Sequence, residues 1–76
     1  MTKNLEQTRQ ILYTNHALAR LLYELQYERD AERARSMLLE AQSLADANAA
    51  QIVQLHDRIL GDEYEAQRAA ARLARN

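Results

Sequence analysis

The residues best suited to catalysis or metal binding are the two histidines, His16 and His56. Neither belongs to a Glu-x-x-His or His-x-x-x-His pattern, the spacings with which helices hold iron or zinc, so we predict no metal site. His56 precedes Asp57, but this pair has no nucleophile beside it and makes no catalytic dyad. The chain has no cysteine and a single glycine, which excludes a thiolate metal site and a glycine-rich phosphate loop. We therefore expect a protein that is not an enzyme, with no catalytic residues and no cofactor.

A row of aromatic and basic residues is the stronger functional signal. Its members recur at alternating steps of three and four, so they share one side of a helix: Tyr13, His16, Arg20, Tyr23 and Tyr27. Tyrosine and arginine are enriched in binding hot spots because they combine a large contact area with a polar group. We interpret this row, the tyrosine stripe, as a docking face for a partner protein. The alternative is that its rings cover a homodimer contact or support another helix of the same chain.

The composition predicts an all-α fold in a single domain, residues 1–76. Proline is absent, and Ala, Leu, Arg, Gln and Glu, which favour helix, dominate. A chain this short buries little surface, and without disulfides it depends on helix packing and self-association. The formal net charge of −1 argues against a nucleic-acid-binding surface over the whole protein. Neither a signal peptide nor a membrane-spanning run is visible, so we expect a cytoplasmic protein with no membrane partner.

Capping patterns predict two long helices. Asn4 is a candidate N-cap, with Thr2 as a competing cap, for a first helix from about residue 4 to 28. Asp30 is a candidate N-cap for a second helix, about 31–60, which places the corner at 28–33. The alternative is one unbroken helix through the corner.

The end of the chain predicts a short third helix, about 63–74. Gly61 is the residue type expected just past a helix end, and a capping pattern begins at Asp62. This helix has an apolar face made of Ala66, Ala69, Ala70 and Leu73. It also carries a basic face, Arg68, Arg72 and Arg75, which either contacts phosphates or an acidic partner or is a solvated surface that suits the helix dipole.

Heptad spacing predicts that the two long helices pack as an antiparallel hairpin. The predicted seam of the first helix is Thr8, Ile11, Asn15, Leu18, Leu22 and Leu25; that of the second is Ala31, Ala34, Leu38, Ala41, Ala45, Asn48, Ile52, Leu55 and Ile59. Folding the chain back near 30–33 sets large residues opposite small ones in two layers. The same register sets Asn15 opposite Asn48. The two amides either hydrogen-bond each other or reach water at the edge of the seam.

Apolar residues outside the seam predict a homodimer. Leu12, Ala19, Met37 and Leu44 flank it and need a partner, for which a second copy forming a two-fold four-helix core is the economical answer. Val53 and Leu60 lie on the other flank, where the third helix would cover them.

A helical hairpin with a short tail and an outward tyrosine stripe resembles, in size and kind, the small helical inhibitors and anti-activators of phages and bacteria. The resemblance implies a regulatory module that binds a target protein, such as a transcription regulator or an enzyme, and inhibits or sequesters it. One alternative is a transcription-associated nucleic-acid-binding protein that uses the arginine helix. The other is a structural coiled-coil adaptor subunit.

Overall fold

The chain forms two antiparallel α-helices in the computed structural model, which describes the backbone of residues 2–75 and the side chains of residues 3–74. Helix α1 is Thr2–Leu25 and helix α2 is Ala31–Arg75, and the described residues contain no strand. The all-α prediction is therefore confirmed. The 45 residues of α2 give the molecule an elongated shape of 69 × 17 × 13 Å. No helix within the described part of the chain is long and apolar enough to cross a membrane.

The corner between the helices is held by its own acidic side chains. Asp30 is the N-cap of α2, because its Oδ1 accepts the Glu32 amide at 3.3 Å and its carbonyl accepts the Ala34 amide at 2.8 Å. Glu28 accepts the Asp30 amide at 3.2 Å and forms an ion pair with Arg33 at 3.4 Å. The alternative of one unbroken helix is wrong, since these contacts close a reversal of the chain.

Both ends of α1 differ from the prediction. The helix begins at Thr2, so Asn4 lies inside it, where its carbonyl accepts the Thr8 hydroxyl at 2.7 Å instead of capping the N-terminus. The helix ends at Leu25, before residue 28. There the amides of Tyr27 and Glu28 bond to carbonyls only three residues earlier, which tightens the last turn and ends the α-helical pattern.

The prediction of a short third helix is wrong. Helix α2 continues through Gly61 to Arg75, and Gly61 does not adopt a positive φ. A glycine inside a helix costs only about 1 kcal/mol relative to alanine, and it is flanked here by good helix formers with no proline. Because the chain does not turn back, Val53 and Leu60 stay 56% and 49% exposed.

The seam between α1 and α2 agrees with the prediction in alternate layers, for example at Ile11 and Leu18. In the layers between, the residue that faces the other helix is the one before the predicted residue, so that Leu21 replaces Leu22. The half-buried or buried seam residues are Asn4, Gln7, Ile11, Thr14, Leu18, Leu21 and Leu25 on α1, and Ala34, Met37, Ala41, Leu44, Asn48, Gln51, Leu55 and Arg58 on α2. In several layers two consecutive residues are apolar, as in Met37-Leu38, so spacing alone does not decide which one faces α1. The structure leaves Leu22, Leu38 and Ile52 about half exposed.

Asn48 is the one buried polar residue among the described side chains, at 8% exposure. Its Nδ2 donates to the Ile11 carbonyl at 3.0 Å, while the Asn15 side chain is exposed. The predicted amide pair is therefore wrong, because Asn15 lies one position away from the seam. The Asn48 bond still favours one register of the hairpin, because a slipped helix would leave this amide unpaired.

The hairpin buries very little. Ala41, at 4% exposure, is the one buried hydrophobic residue described, and no described side chain is fully buried. Every described side chain from Ile59 onwards is exposed, since α2 extends past the beginning of α1. We call residues 59–75 the overhang. The two helices alone thus lack a closed core.

We predict that Asp30→Ala destabilises the fold by about 1 kcal/mol, the usual effect of losing an N-cap. Urea unfolding followed by circular dichroism at fixed protein concentration measures this change. Asp46→Ala is the control, because Asp46 is exposed inside α2 and caps nothing. Equal stability of the two variants would contradict the capping role of Asp30.

We predict that Gly61→Ala stabilises the overhang by about 0.5–1 kcal/mol, since alanine is the better helix former and an added Cβ meets nothing within 4 Å. Amide hydrogen exchange of residues 62–74 should slow several-fold, and Ala70→Gly should accelerate it. Faster exchange in Gly61→Ala would mean that the glycine ends a helix after all.

Candidate functional site

The tyrosine stripe lies on the outer side of α1, turned away from α2. Tyr13, Tyr23 and Tyr27 are 79%, 63% and 67% exposed, and His16 and Arg20 are exposed as well. Four of the five residues belong to α1, and Tyr27 follows in the corner, where its amide bonds to the Glu24 carbonyl at 3.1 Å. The predicted row therefore exists as one continuous surface about four turns long.

Contacts within the stripe hold its side chains in place. The rings of Tyr23 and Tyr27 meet edge to face, with centroids 5.5 Å apart and planes at 69°. Arg20 pairs with Glu24 one turn later, with Nε and Oε1 3.4 Å apart. These contacts are exposed and contribute little to folding. Their main effect is to reduce the side-chain freedom that a bound partner would otherwise have to restrict.

The stripe offers apolar area together with hydrogen-bonding groups. An open, shallow concavity on α1 is lined by Tyr13, His16, Ala17, Ala19 and Arg20. The phenol and imidazole groups can donate or accept hydrogen bonds, and the guanidinium only donates. A partner that fits would present apolar side chains beside carbonyl or carboxylate acceptors.

The other residues able to do chemistry are not assembled into a site. His56 and Asp57 are neighbours with Nδ1 and Oδ1 3.6 Å apart, and both are largely exposed. Among the described residues, no three His, Cys, Asp or Glu side chains converge as metal ligands would.

The predicted basic face lies on the overhang. The Arg68 guanidinium is 5.8 Å from the centre of the Tyr64 ring, and Arg68, Arg72 and Glu65 border one open concavity. The Arg75 side chain lies outside the described residues. Because Glu65 borders the same concavity as the two arginines, this surface carries mixed charge.

A second exposed surface, the apolar flank, was only partly anticipated. It consists of the apolar residues among those that follow the seam by one position: Leu5, Leu12, Ala19 and Leu22 on α1, and Leu38, Ala45, Ile52 and Ile59 on α2. The same two lines also carry polar side chains, among them Asn15 on α1 and Arg35, Gln42 and His56 on α2. Both helices are right-handed and they run antiparallel, so a shift of one residue turns both sets to the same side of the hairpin. The sequence signal for this surface was the excess of apolar residues in each heptad.

Comparison of the chain with known protein families, curated proteins and solved structures finds no match.

We predict that Tyr23→Ala and Arg20→Ala change the free energy of unfolding by less than about 0.5 kcal/mol, because both side chains are exposed. Leu18→Ala, a seam substitution, should cost about 1–3 kcal/mol in the same urea titration. A large loss of stability in Tyr23→Ala would show that the stripe supports the fold, which would contradict its assignment as a free docking face.

Proposed function

We propose that this chain is a small regulatory protein-binding module, in which the tyrosine stripe docks on a target protein and the module acts as a homodimer. The observation that carries the proposal is the exposure of three tyrosines and an arginine along one face of α1 and into the corner that follows it, a surface that does not pack against α2. Exposing this many aromatic rings to water is unfavourable, and within the hairpin they pack against little. Burial against a partner would make their large contact area stabilising.

The stripe supports helix-face recognition. Its residues recur every three or four positions, so α1 can lie in a groove of the target with Tyr13, Arg20 and Tyr27 as anchors. Two of these anchors already have a contact within the chain, Tyr27 with the Tyr23 ring and Arg20 with Glu24.

The mode of action in this proposal is occlusion. A rigid helical rod with no catalytic group acts on a target by covering its active or assembly surface. This is how the small helical inhibitors and anti-activators that the chain resembles silence transcription regulators or enzymes. A cytoplasmic location belongs to the same proposal.

The nucleic-acid alternative has less support. The turn at Gly61 that a helix-turn-helix would need is absent, because α2 is continuous there. The basic face also shares its concavity with Glu65 and follows two acidic residues. A surface of mixed charge attracts phosphates weakly.

Affinity capture from cells of the source organism, with proteins identified by mass spectrometry, tests the proposal. The chain with Tyr64→Ala is the matched control, since Tyr64 is 61% exposed against 63% for Tyr23 but lies on the overhang. We expect a target that binds the wild type and Tyr64→Ala chains. Tyr23→Ala and Arg20→Ala should each weaken its binding at least tenfold in a titration with the purified target.

Capture of the same proteins by all four chains would overturn the docking role of the stripe. Specific DNA or RNA recovered with the wild type and lost in Arg68→Ala would overturn the proposal in favour of the nucleic-acid alternative. Salt dependence of that binding would identify phosphate contacts.

A further inference from the structure

From Leu38 to Leu73 the apolar flank continues along α2 as a single row of residues spaced by seven, one heptad after Ala31 at the start of the helix. This row, the heptad row, is Leu38, Ala45, Ile52, Ile59, Ala66 and Leu73. Its large members are 48%, 49%, 42% and 77% exposed, and both alanines are exposed too. The first three residues lie beside α1, and the last three lie on the overhang.

The heptad row reads the same in both directions. Leu-Ala-Ile is followed by Ile-Ala-Leu, so the row is symmetric about a point between residues 55 and 56. Two copies of α2 laid antiparallel about that point bring Leu38 of each copy to Leu73 of the other. The same register pairs Ala45 with Ala66 and Ile52 with Ile59. In a two-fold contact residue i meets j and j meets i, and this register places an apolar residue opposite an apolar residue at every one of these positions.

The overhang needs a partner for its own stability. A single amphipathic helix of its length is marginal in water, and every described side chain of the overhang, residues 59–74, is exposed. In the antiparallel arrangement, the overhang of each copy lies over the apolar flank of the other hairpin. The overhang then meets Leu12, Ala19 and Leu22 with its own apolar face, which is made of Ala66, Ala69, Ala70 and Leu73. The three alanines of this face permit close approach of the helices.

The projected area of the flank approaches that of a stable dimer interface. The flank is as long as α1, about 36 Å, and two helix widths across, about 20 Å, which gives on the order of 700 Å² per copy. Stable interfaces bury roughly 800 Å² per partner. The heptad row carries no charge, so the two-fold contact along it sets no like charges against each other.

The angle between the seam and the flank on each helix also agrees with helix packing in a bundle. On each helix the flank follows the seam by one residue, which is a rotation of about 100°. Helices in a bundle have two neighbours at roughly such an angle, so the second neighbour is itself a helix.

We infer that the chain forms an antiparallel homodimer in which the heptad rows of the two α2 helices pair and each overhang covers the other copy's hairpin. This inference deepens the homodimer of the proposed function and replaces the partner surface that the sequence predicted around Met37 and Leu44. The tyrosine stripe remains on the outside of this dimer, so its role in docking is tested separately.

Disulfide cross-linking tests the pairing directly, because the native chain has no cysteine. Chains with Leu38→Cys and chains with Leu73→Cys are mixed and oxidised. The two positions are about 52 Å apart along one helix, so a link between them joins two copies. We expect a covalent Leu38→Cys–Leu73→Cys heterodimer and little linkage when either variant is oxidised alone.

Linkage of Leu38→Cys to itself would show a parallel dimer and would overturn the inference. Equal yields in the mixed and separate reactions, or no linkage at all, would overturn it as well.

A matched pair of charge substitutions gives a second measurement. Ile59 and Leu60 are adjacent and similarly exposed in one chain, at 42% and 49%, but only Ile59 belongs to the heptad row. By light scattering, the wild type and Leu60→Glu should have twice the chain mass of 8.8 kDa. Ile59→Glu should weaken the dimer at least tenfold.

A monomeric wild type at tens of micromolar would assign the row to a different partner and overturn the inference, as would an Ile59→Glu chain that dimerises like Leu60→Glu. Neither outcome bears on capture through Tyr23, so failure of the dimer and failure of the docking face are distinguishable.

Discussion

Two helices share only one line of contact, and this constraint governs the molecule. Each helix turns about a third of its surface towards the other, and the remaining side chains meet solvent or a partner. Here the contact line buries Ala41 and Asn48 and leaves the larger aliphatic residues partly exposed. Near the open end of the hairpin the seam itself contains polar side chains, including Gln7 and Gln51, whose buried Oε1 atoms accept no hydrogen bond. At that end, Leu5, Leu12, Ile52 and Ile59 lie on the flank beside the seam.

The parts of the fold that local chemistry determines could be predicted from the sequence. Asp30 caps α2 because a short carboxylate before a helix satisfies its free amides, and this needs no knowledge of the tertiary fold. The end of α2 could not be predicted in this way. A glycine is compatible with both a helix end and a helix interior, and what decides is whether a surface exists on which the following residues can pack. In the structure α2 is continuous through Gly61, and the described side chains after it are exposed.

Which residues of each helix face the other helix could be predicted only in part, for a related reason. Ile11, Leu18 and Leu25 recur every seven residues and face α2. They would do so whichever of two consecutive residues faced α2 in the layers between them. Those layers offer alternatives such as Leu21 and Leu22, and a helix with one neighbour uses one of them. An apolar sector wide enough to accommodate both choices is typical of a helix with two neighbours. The ambiguity thus follows from an apolar sector that is wider than one neighbouring helix covers. The tyrosine stripe was located from the sequence because it lies outside this sector.

The separation of the two faces has a mechanistic consequence. The tyrosine stripe occupies the side of α1 opposite the seam, while the flank lies a quarter turn from the seam, so one surface can be covered without covering the other. If the overhang acquires order only against a second copy, then folding and self-association are coupled, and the apparent stability rises with concentration. The dimer would then present two stripes on one rod. Two linked docking faces bind a multimeric target with an affinity that exceeds that of either face, provided that their spacing matches the target. In such a dimer the long, unbroken α2 helices would fix that spacing, which a flexible linker at Gly61 would not do.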